Sequence, residues 1–255
     1  HWANIEKLFT KKFLLPWARK NAYKRAWIKR NRCIRIFLLH TEKPDRPLIL
    51  EKLQDKDFFI RMIAVEAIGE LRERDLIAIL LKRMAQEPPS CRYIYRNVLL
   101  GISFADSDEI KRVYQETNDE QLRLCCLDIF SYKFYGNIHN LLRKDLFSSN
   151  VEIRGKVIRI LCNIASEEAV DDLMGQLQEE QPLFRTEAIK ALGTIRNEKA
   201  FDKLIPMLHD QNYAVRLAAA QALLQYKQKG RQVLERQDWD LDPLAYEIAR
   251  YVLTN

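Results

Sequence analysis

The stretch NYAVRLAAAQALLQY, residues 212–226, places one arginine, Arg216, inside a long apolar run. A buried charge needs a partner, so an isolated arginine here would suggest a catalytic or phosphate-binding group. However, steps of 31 residues back from Arg216 reach an arginine every time. The seven positions are Arg30, Arg61, Arg92, Arg123, Arg154, Arg185 and Arg216. A fixed period of this length predicts stacked structural repeats.

Each repeat, numbered from its arginine as position zero, predicts two helices. Positions −1, +3, +6 and +7 are mostly apolar, and these spacings place them on one face of a second helix. Positions −12 and −8, such as Leu204 and Leu208, predict a shorter first helix. The turns between them contain Asp, Asn and Ser, which cap helices. Because such a unit cannot bury its apolar face alone, the sequence predicts an all-α solenoid.

The stretches at 55–71, 181–195 and 210–223 resemble HEAT repeats, in particular the short kind called PBS-lyase HEAT-like repeats. This resemblance covers roughly residues 29–255. It implies a right-handed α-α superhelix of the HEAT/armadillo type, with about seven helix-turn-helix repeats. We expect a C-terminal cap near 238–255, where Glu247 replaces the arginine and the last helix has a polar outer face.

The resemblance also implies a role for the seven arginines. They are expected to form a structural ladder near the turns, donating to carbonyls or acidic groups of their own and adjacent repeats. The alternative is a row of anion-binding arginines in a groove. Position −4 offers candidate partners for the ladder: Asp57, Asp119, Asn150, Gln181 and Asn212.

In solenoids of this kind the second helices line the concave side, and positions +1, +5 and +9 are expected to be exposed there. Apolar and acidic groups mix in the early repeats, and basic groups follow, which is typical of a protein-binding patch. The alternative is packing between adjacent second helices. The candidate partner-binding residues are Met62, Glu66, Tyr93, Asn97, Leu124, Asp128, Tyr132, Arg159 and Lys190.

The net positive charge of the chain comes from its first 35 residues. Residues 1–35 carry eleven lysines and arginines against one acid, whereas residues 36–255 carry 31 basic and 34 acidic side chains. Residues 1–28, basic and rich in aromatic residues, favour an anionic membrane surface. The alternatives are capping helices with a solvated basic face, or nucleic-acid binding, which the acidic repeats disfavour. The candidate membrane-facing residues are Lys11, Lys12, Arg19, Lys20, Lys24 and Arg25.

The sequence contains no apolar run long enough to span a membrane, and no visible signal peptide. Because it begins with His1 and not with Met, a membrane helix that precedes residue 1 is a further expectation. The five cysteines lack CxxC spacing and are expected to be buried thiols in a reducing compartment, so the expected location is cytoplasmic, with membrane association as an option.

The sequence shows no catalytic motif, and we expect neither a metal nor another cofactor. We therefore predict a non-catalytic scaffold or adaptor that binds another protein. Two alternatives remain open. One is a bilin-lyase-like subunit, suggested by the name of the repeat. The other is a HEAT-like DNA-binding glycosylase, which would need a basic concave face.

Overall fold

A computed structural model describes residues 10–21, 27–39, 46–71, 73–102, 107–132 and 138–254. The secondary structure in these ranges is helical throughout, without a strand, so the predicted all-α fold is confirmed. The chain divides into two compact units, His1–Ile129 and Phe130–Asn255, which we call unit 1 and unit 2. The 31-residue period runs through both units and does not predict this division.

Unit 1 contains eight described α-helices, the last of which ends three residues inside unit 2. They are α1 (Leu15–Asn21), α2 (Trp27–Leu39), α3 (Arg46–Lys52), α4 (Phe58–Leu71), α5 (Asp75–Ala85), α6 (Arg92–Ile102), α7 (Ser107–Glu116) and α8 (Glu120–Tyr132). A π-helical turn, Thr10–Leu14, leads directly into α1.

Unit 2 contains the remaining described helices. They are α9 (His139–Leu142), α10 (Val151–Asn163), α11 (Val170–Gly175), α12 (Pro182–Ile195), α13 (Glu198–Leu204), α14 (Tyr213–Leu224), α15 (Gln228–Glu235) and α16 (Pro243–Thr254). From α2 onward, even-numbered helices are the second helices of the repeats, and odd-numbered helices from α3 are the first helices. Short 3-10 segments extend several first helices, as at Arg143–Phe147 and Ile205–His209.

The core follows the predicted periodicity. At positions +3 and +7 of the second helices every apolar residue from Ala64 to Leu223 is buried. The first helices bury their −12 and −8 residues in the same way, as at Leu204 and Leu208. The repeat numbered from Arg123 is the exception, because its position −8 is the polar Gln115, which is exposed in α7. Burial of these faces between neighbouring repeats is the main source of stability, since apolar burial drives folding.

Small residues bring neighbouring second helices close together. A Cβ placed on Gly193 of α12 would lie 2.6 Å from the Cβ of Ala222 and 2.8 Å from its Cα, in α14. A Cβ on Gly69 of α4 would lie 3.1 Å from Val98 in α6. These contacts fix the side-by-side packing of α12 with α14 and of α4 with α6.

Candidate functional site

The arginine of α4 lies in the first turn of its helix, and its guanidinium reaches back to the turn that precedes the helix. Arg61 is 9% exposed, and its Nη1 donates to the carbonyls of Asp55 and Lys56 at 2.9 and 3.1 Å. Its Nε and Nη2 donate to the two carboxylate oxygens of Glu87, at 2.6 and 2.8 Å. Glu87 belongs to the turn of the next repeat, so this guanidinium joins two repeats.

The same geometry recurs in unit 2. Arg185 donates through Nη1 to the carbonyls of Glu179 and Glu180, and through Nε and Nη2 to Asp210 at 2.8 and 2.9 Å. Arg154 donates to the amide oxygen of Gln176 and to Glu179, and its guanidinium carbon lies 4.0 Å from the centre of the Phe184 ring.

The other arginines bind mainly backbone carbonyls. Arg216 donates to the carbonyls of Asp210 and Gln211 at 2.8 and 3.0 Å. Arg92 donates to the carbonyls of Glu87 and Ala85 and to the side chain of Gln121, and Arg123 donates to the carbonyl of Thr117. The helix of Arg30 is described, but its side chain lies outside the described part of the protein.

These contacts lower the pKa of two acidic groups of the ladder, Glu87 and Asp210. Burial would raise the pKa of Glu87, but hydrogen bonds from Arg61 and Tyr95 and the charges of Arg61 and Arg83 outweigh it and lower the pKa. Burial would also raise the pKa of Asp210, but hydrogen bonds from Arg185 and from the Asn212 amide outweigh it and lower the pKa. Both groups are therefore held as carboxylates.

The residues at position −4 act as helix caps except for Gln181, whose side chain makes no capping hydrogen bond, and Asp57 accepts from the Phe59 amide. The side chains of Asp119, Asn150 and Asn212 accept from backbone amides in the first turn of α8, α10 and α14. The carboxylates that the guanidinium groups bind come instead from positions −6 and −5 of the following repeat, namely Glu87, Glu179 and Asp210. Acidic residues recur at these two positions in the sequence. This pattern could have predicted the pairing, but it was overlooked in favour of position −4.

One stripe of the second helices from α4 to α14 is largely exposed, at positions +5 and +9, and in α6 the exposed Tyr93 at position +1 extends it. At +5, Glu66, Asn97, Arg159 and Lys190 are exposed, and Asp128 is half-buried. At +9, Glu70, Tyr132, Asn163, Thr194 and Gln225 are exposed, Tyr132 by 62%. We call this surface the second-helix stripe.

The expectation that position +1 is exposed is wrong for most repeats. Leu124 is 3% exposed, Gly155 and Thr186 are also buried, and Met62 is half-buried. The helices are rotated so that +1 packs against a neighbour, and Leu124 therefore cannot contact a partner. Tyr93 is the exception, at 50% exposed.

The two tyrosines of α6 have different environments. Tyr95 is fully buried, and its hydroxyl donates to Glu87 at 3.0 Å. This burial raises the pKa of Tyr95 above its usual range. Tyr95 is therefore part of the ladder, whereas Tyr93 presents its ring on the second-helix stripe.

The described part of the basic segment exposes both cations and aromatic rings. Lys12, Arg19 and Lys20 are exposed, and Phe13 and Trp17 are 62% and 48% exposed. Ala18 is fully buried, in a cluster with Cys33 of α2 and Leu48 of α3, so α1 packs against the rest of unit 1. The side chain of Lys11 and all of Lys24 and Arg25 lie outside the described residues.

No helix in the described ranges is long and apolar enough to cross a membrane. The same ranges contain no cluster of His, Cys, Asp and Glu side chains with the arrangement of a metal site.

The fold and the arginine ladder define an α-helical repeat protein. A family model for HEAT repeats matches residues 139–224, so HEAT repeats are present in unit 2. No curated protein is detectably similar to this chain.

Among solved structures, human deoxyhypusine hydroxylase in complex with glycerol is similar at 17% identity, over 98% of both chains, with a TM-score of 0.40. One engineered protein is similar at 17% identity over 83% of this chain and 96% of its own, with a TM-score of 0.42. A second engineered protein is similar at 16% identity over 94% of this chain and 67% of its own, with a TM-score of 0.44.

Proposed function

We propose that this protein is a non-catalytic HEAT-repeat scaffold that binds another protein through the second-helix stripe of unit 1. The observation that carries the proposal is the half-exposed ring of Tyr93. It lies on the same stripe as the exposed Asn97, and α6 packs against α4, which exposes Glu66 and Glu70. A large aromatic residue among polar neighbours is typical of interface hot spots.

The arginine ladder supports a scaffold because its guanidinium groups donate hydrogen bonds to other groups of the protein and so stabilise the fold. Arg61 and Arg185 each use Nε, Nη1 and Nη2 within the protein. In this proposal the ladder holds the repeats in a fixed register, and the stripe supplies the specificity. A rigid surface loses little conformational entropy on binding, which favours affinity.

The test is affinity capture from native cells with three forms of the chain, read by mass spectrometry. The forms are the wild type, the double variant Glu66→Lys/Tyr93→Ser, and the control Gln221→Ser, which alters an exposed stripe residue of α14. A partner captured by the wild type and the control but lost by the double variant supports the proposal. Identical captures by all three, or a turnover activity abolished by a change at Tyr93 or Asp128, would contradict it.

A second candidate activity is tethering to an anionic membrane through the basic segment. It rests on Trp17 and Phe13, exposed beside Lys12, Arg19 and Lys20, since interfacial segments combine aromatic residues with cations. The full chain should sediment with vesicles containing phosphatidylserine, and less so at high salt. Trp17→Ser with Lys20→Glu should weaken this binding, whereas Lys190→Glu in unit 2 should not. Equal sedimentation of both variants would contradict the tether.

A further inference from the structure

Unit 2 carries a row of exposed apolar side chains along the edge where its second helices begin. Val151, Leu183, Tyr213 and Leu244 are 43%, 49%, 58% and 53% exposed. Each is the first or second residue of α10, α12, α14 or α16, and these helices pack side by side in that order. The apolar side chains therefore recur once per repeat, and we call them the turn-edge row.

The turns that carry this row are acidic. Residues 145–153, 178–184, 209–215 and 237–245 contain eight Asp and Glu residues and no lysine or arginine, and the exposed Arg143, Lys144 and Arg236 come just before two of these turns. Glu152, Glu180, Asp238 and Asp240 are exposed. The ladder arginines that follow these turns are directed inward, as the contacts of Arg185 with Asp210 show. The edge thus offers negative charge beside apolar surface.

The last turn of the row holds its apolar residues outward in an ordered loop. Leu241 is 85% exposed and Trp239 is 50% exposed. The side chain of Asp238 accepts from the Asp240 amide at 3.0 Å, and its carbonyl accepts from the Asp242 amide at 3.0 Å. The Trp239 ring packs edge-on against Tyr246 at 5.8 Å. Because these contacts fix the loop, its exposed side chains are presented in a defined position.

The expected spacing of the row matches one kind of extended chain. Packed helices lie roughly 8–10 Å apart, so we expect successive apolar residues of the row to be separated by about that distance. A polyproline II helix advances about 3.1 Å per residue with three residues per turn, so every third side chain lies on one face about 9 Å from the last. We propose that the turn-edge row binds a basic polyproline II segment of a partner protein with an apolar residue at every third position. Basic residues between the apolar ones pair with the exposed acids.

This inference goes beyond the proposed function because it uses a different surface and names the chemistry of its ligand. It does not depend on Tyr93 or Glu66, so variants of the second-helix stripe and of the turn-edge row can fail independently. The acidic turns also favour a basic peptide over anionic lipid or nucleic acid, since like charges repel.

The experiment measures the anisotropy of a labelled peptide with four Leu-Pro-Lys repeats, titrated with the full chain. We expect saturable binding that weakens with salt, because it is partly electrostatic. Leu183→Ser/Tyr213→Ser and, separately, Glu152→Lys/Glu180→Lys should each raise Kd about tenfold, as expected for the loss of contacts worth about 1.4 kcal/mol. All four residues are exposed, and circular dichroism checks that both variants fold. The controls are Gln221→Ser and Glu66→Lys/Tyr93→Ser, which should leave Kd unchanged.

Two further peptides test the period and the charge. A peptide of the same composition with shuffled order should bind at least fivefold more weakly, and a Leu-Pro-Glu peptide should not bind. The proposal is overturned if binding of the Leu-Pro-Lys peptide does not saturate at millimolar protein, or if the shuffled peptide binds equally well. It is also overturned if Kd for the Leu-Pro-Lys peptide is unchanged in both turn-edge variants. It is also overturned if sedimentation shows that Leu183→Ser dissociates a dimer of this chain, since a second copy would then occupy the row.

Discussion

Arg61 and Glu87 are 26 residues apart and form a two-point ion pair, with Nε 2.6 Å from Oε1 and Nη2 2.8 Å from Oε2. The Glu87 side chain is almost fully buried, and Arg83 and the Tyr95 hydroxyl also reach it, at 3.1 and 3.0 Å. Because Arg61 lies in α4, Arg83 in α5 and Tyr95 in α6, the Glu87 carboxylate joins three helices of unit 1.

Glu87→Gln should destabilise unit 1 by about 3 kcal/mol, because it leaves the buried charge of Arg61 without its counter-charge. The measurement is urea unfolding followed by circular dichroism. Glu66→Gln, an exposed change on the neighbouring α4, should stay within about 0.5 kcal/mol of the wild type. A Glu87→Gln variant as stable as Glu66→Gln would show that the pair contributes nothing net.

Acid should destabilise the protein through Glu87 and Asp210. The pKa of each is lowered in the folded state, from ordinary values of 4.5 and 3.8. The unfolded chain therefore binds protons first as pH falls. The stabilising contribution of these two carboxylates is complete above these ordinary values and is lost as pH falls through the lower folded pKa.

The free energy of unfolding, measured from pH 7 to pH 3, should fall less in the double variant Arg61→Met/Glu87→Met. An equal fall in both proteins would contradict this assignment.

The period and the helical spacing predicted the repeats and their core, because both follow from local geometry. Ala64 and Leu223 are buried, as their positions +3 and +7 require. The burial of Leu124 was not predictable in this way, since the rotation of a helix about its axis is set by its neighbours. The sequence predicted that the arginines contact acids of adjacent repeats, but it indicated position −4 and not Glu87, because the choice of partner depends on which turn residues meet in space.

Gly193→Ala should be destabilising, by about 1–3 kcal/mol, because the new methyl group would lie within 2.8 Å of the Ala222 backbone. The helices α12 and α14 would have to separate. Gly175→Ala is the matched control, since nothing lies within 4 Å of its Cβ position and its backbone is helical. It should be neutral or stabilising by about 0.5–1 kcal/mol. Thermal unfolding of both variants tests the difference, and equal melting temperatures would rule out the close approach.

Arg216 and Arg185 should differ in importance although both hold the same repeat position. Arg185→Met leaves the Asp210 carboxylate without its bidentate partner, which should cost about 3–5 kcal/mol. Arg216→Met removes hydrogen bonds to two carbonyls, and the Nε of Arg216 has no hydrogen-bond partner among the described residues. Its loss should cost about 1–2 kcal/mol. Urea unfolding of the two variants under identical conditions decides the order. A larger loss for Arg216→Met would mean that the carbonyl contacts, rather than the acids of the next repeat, give the ladder its strength.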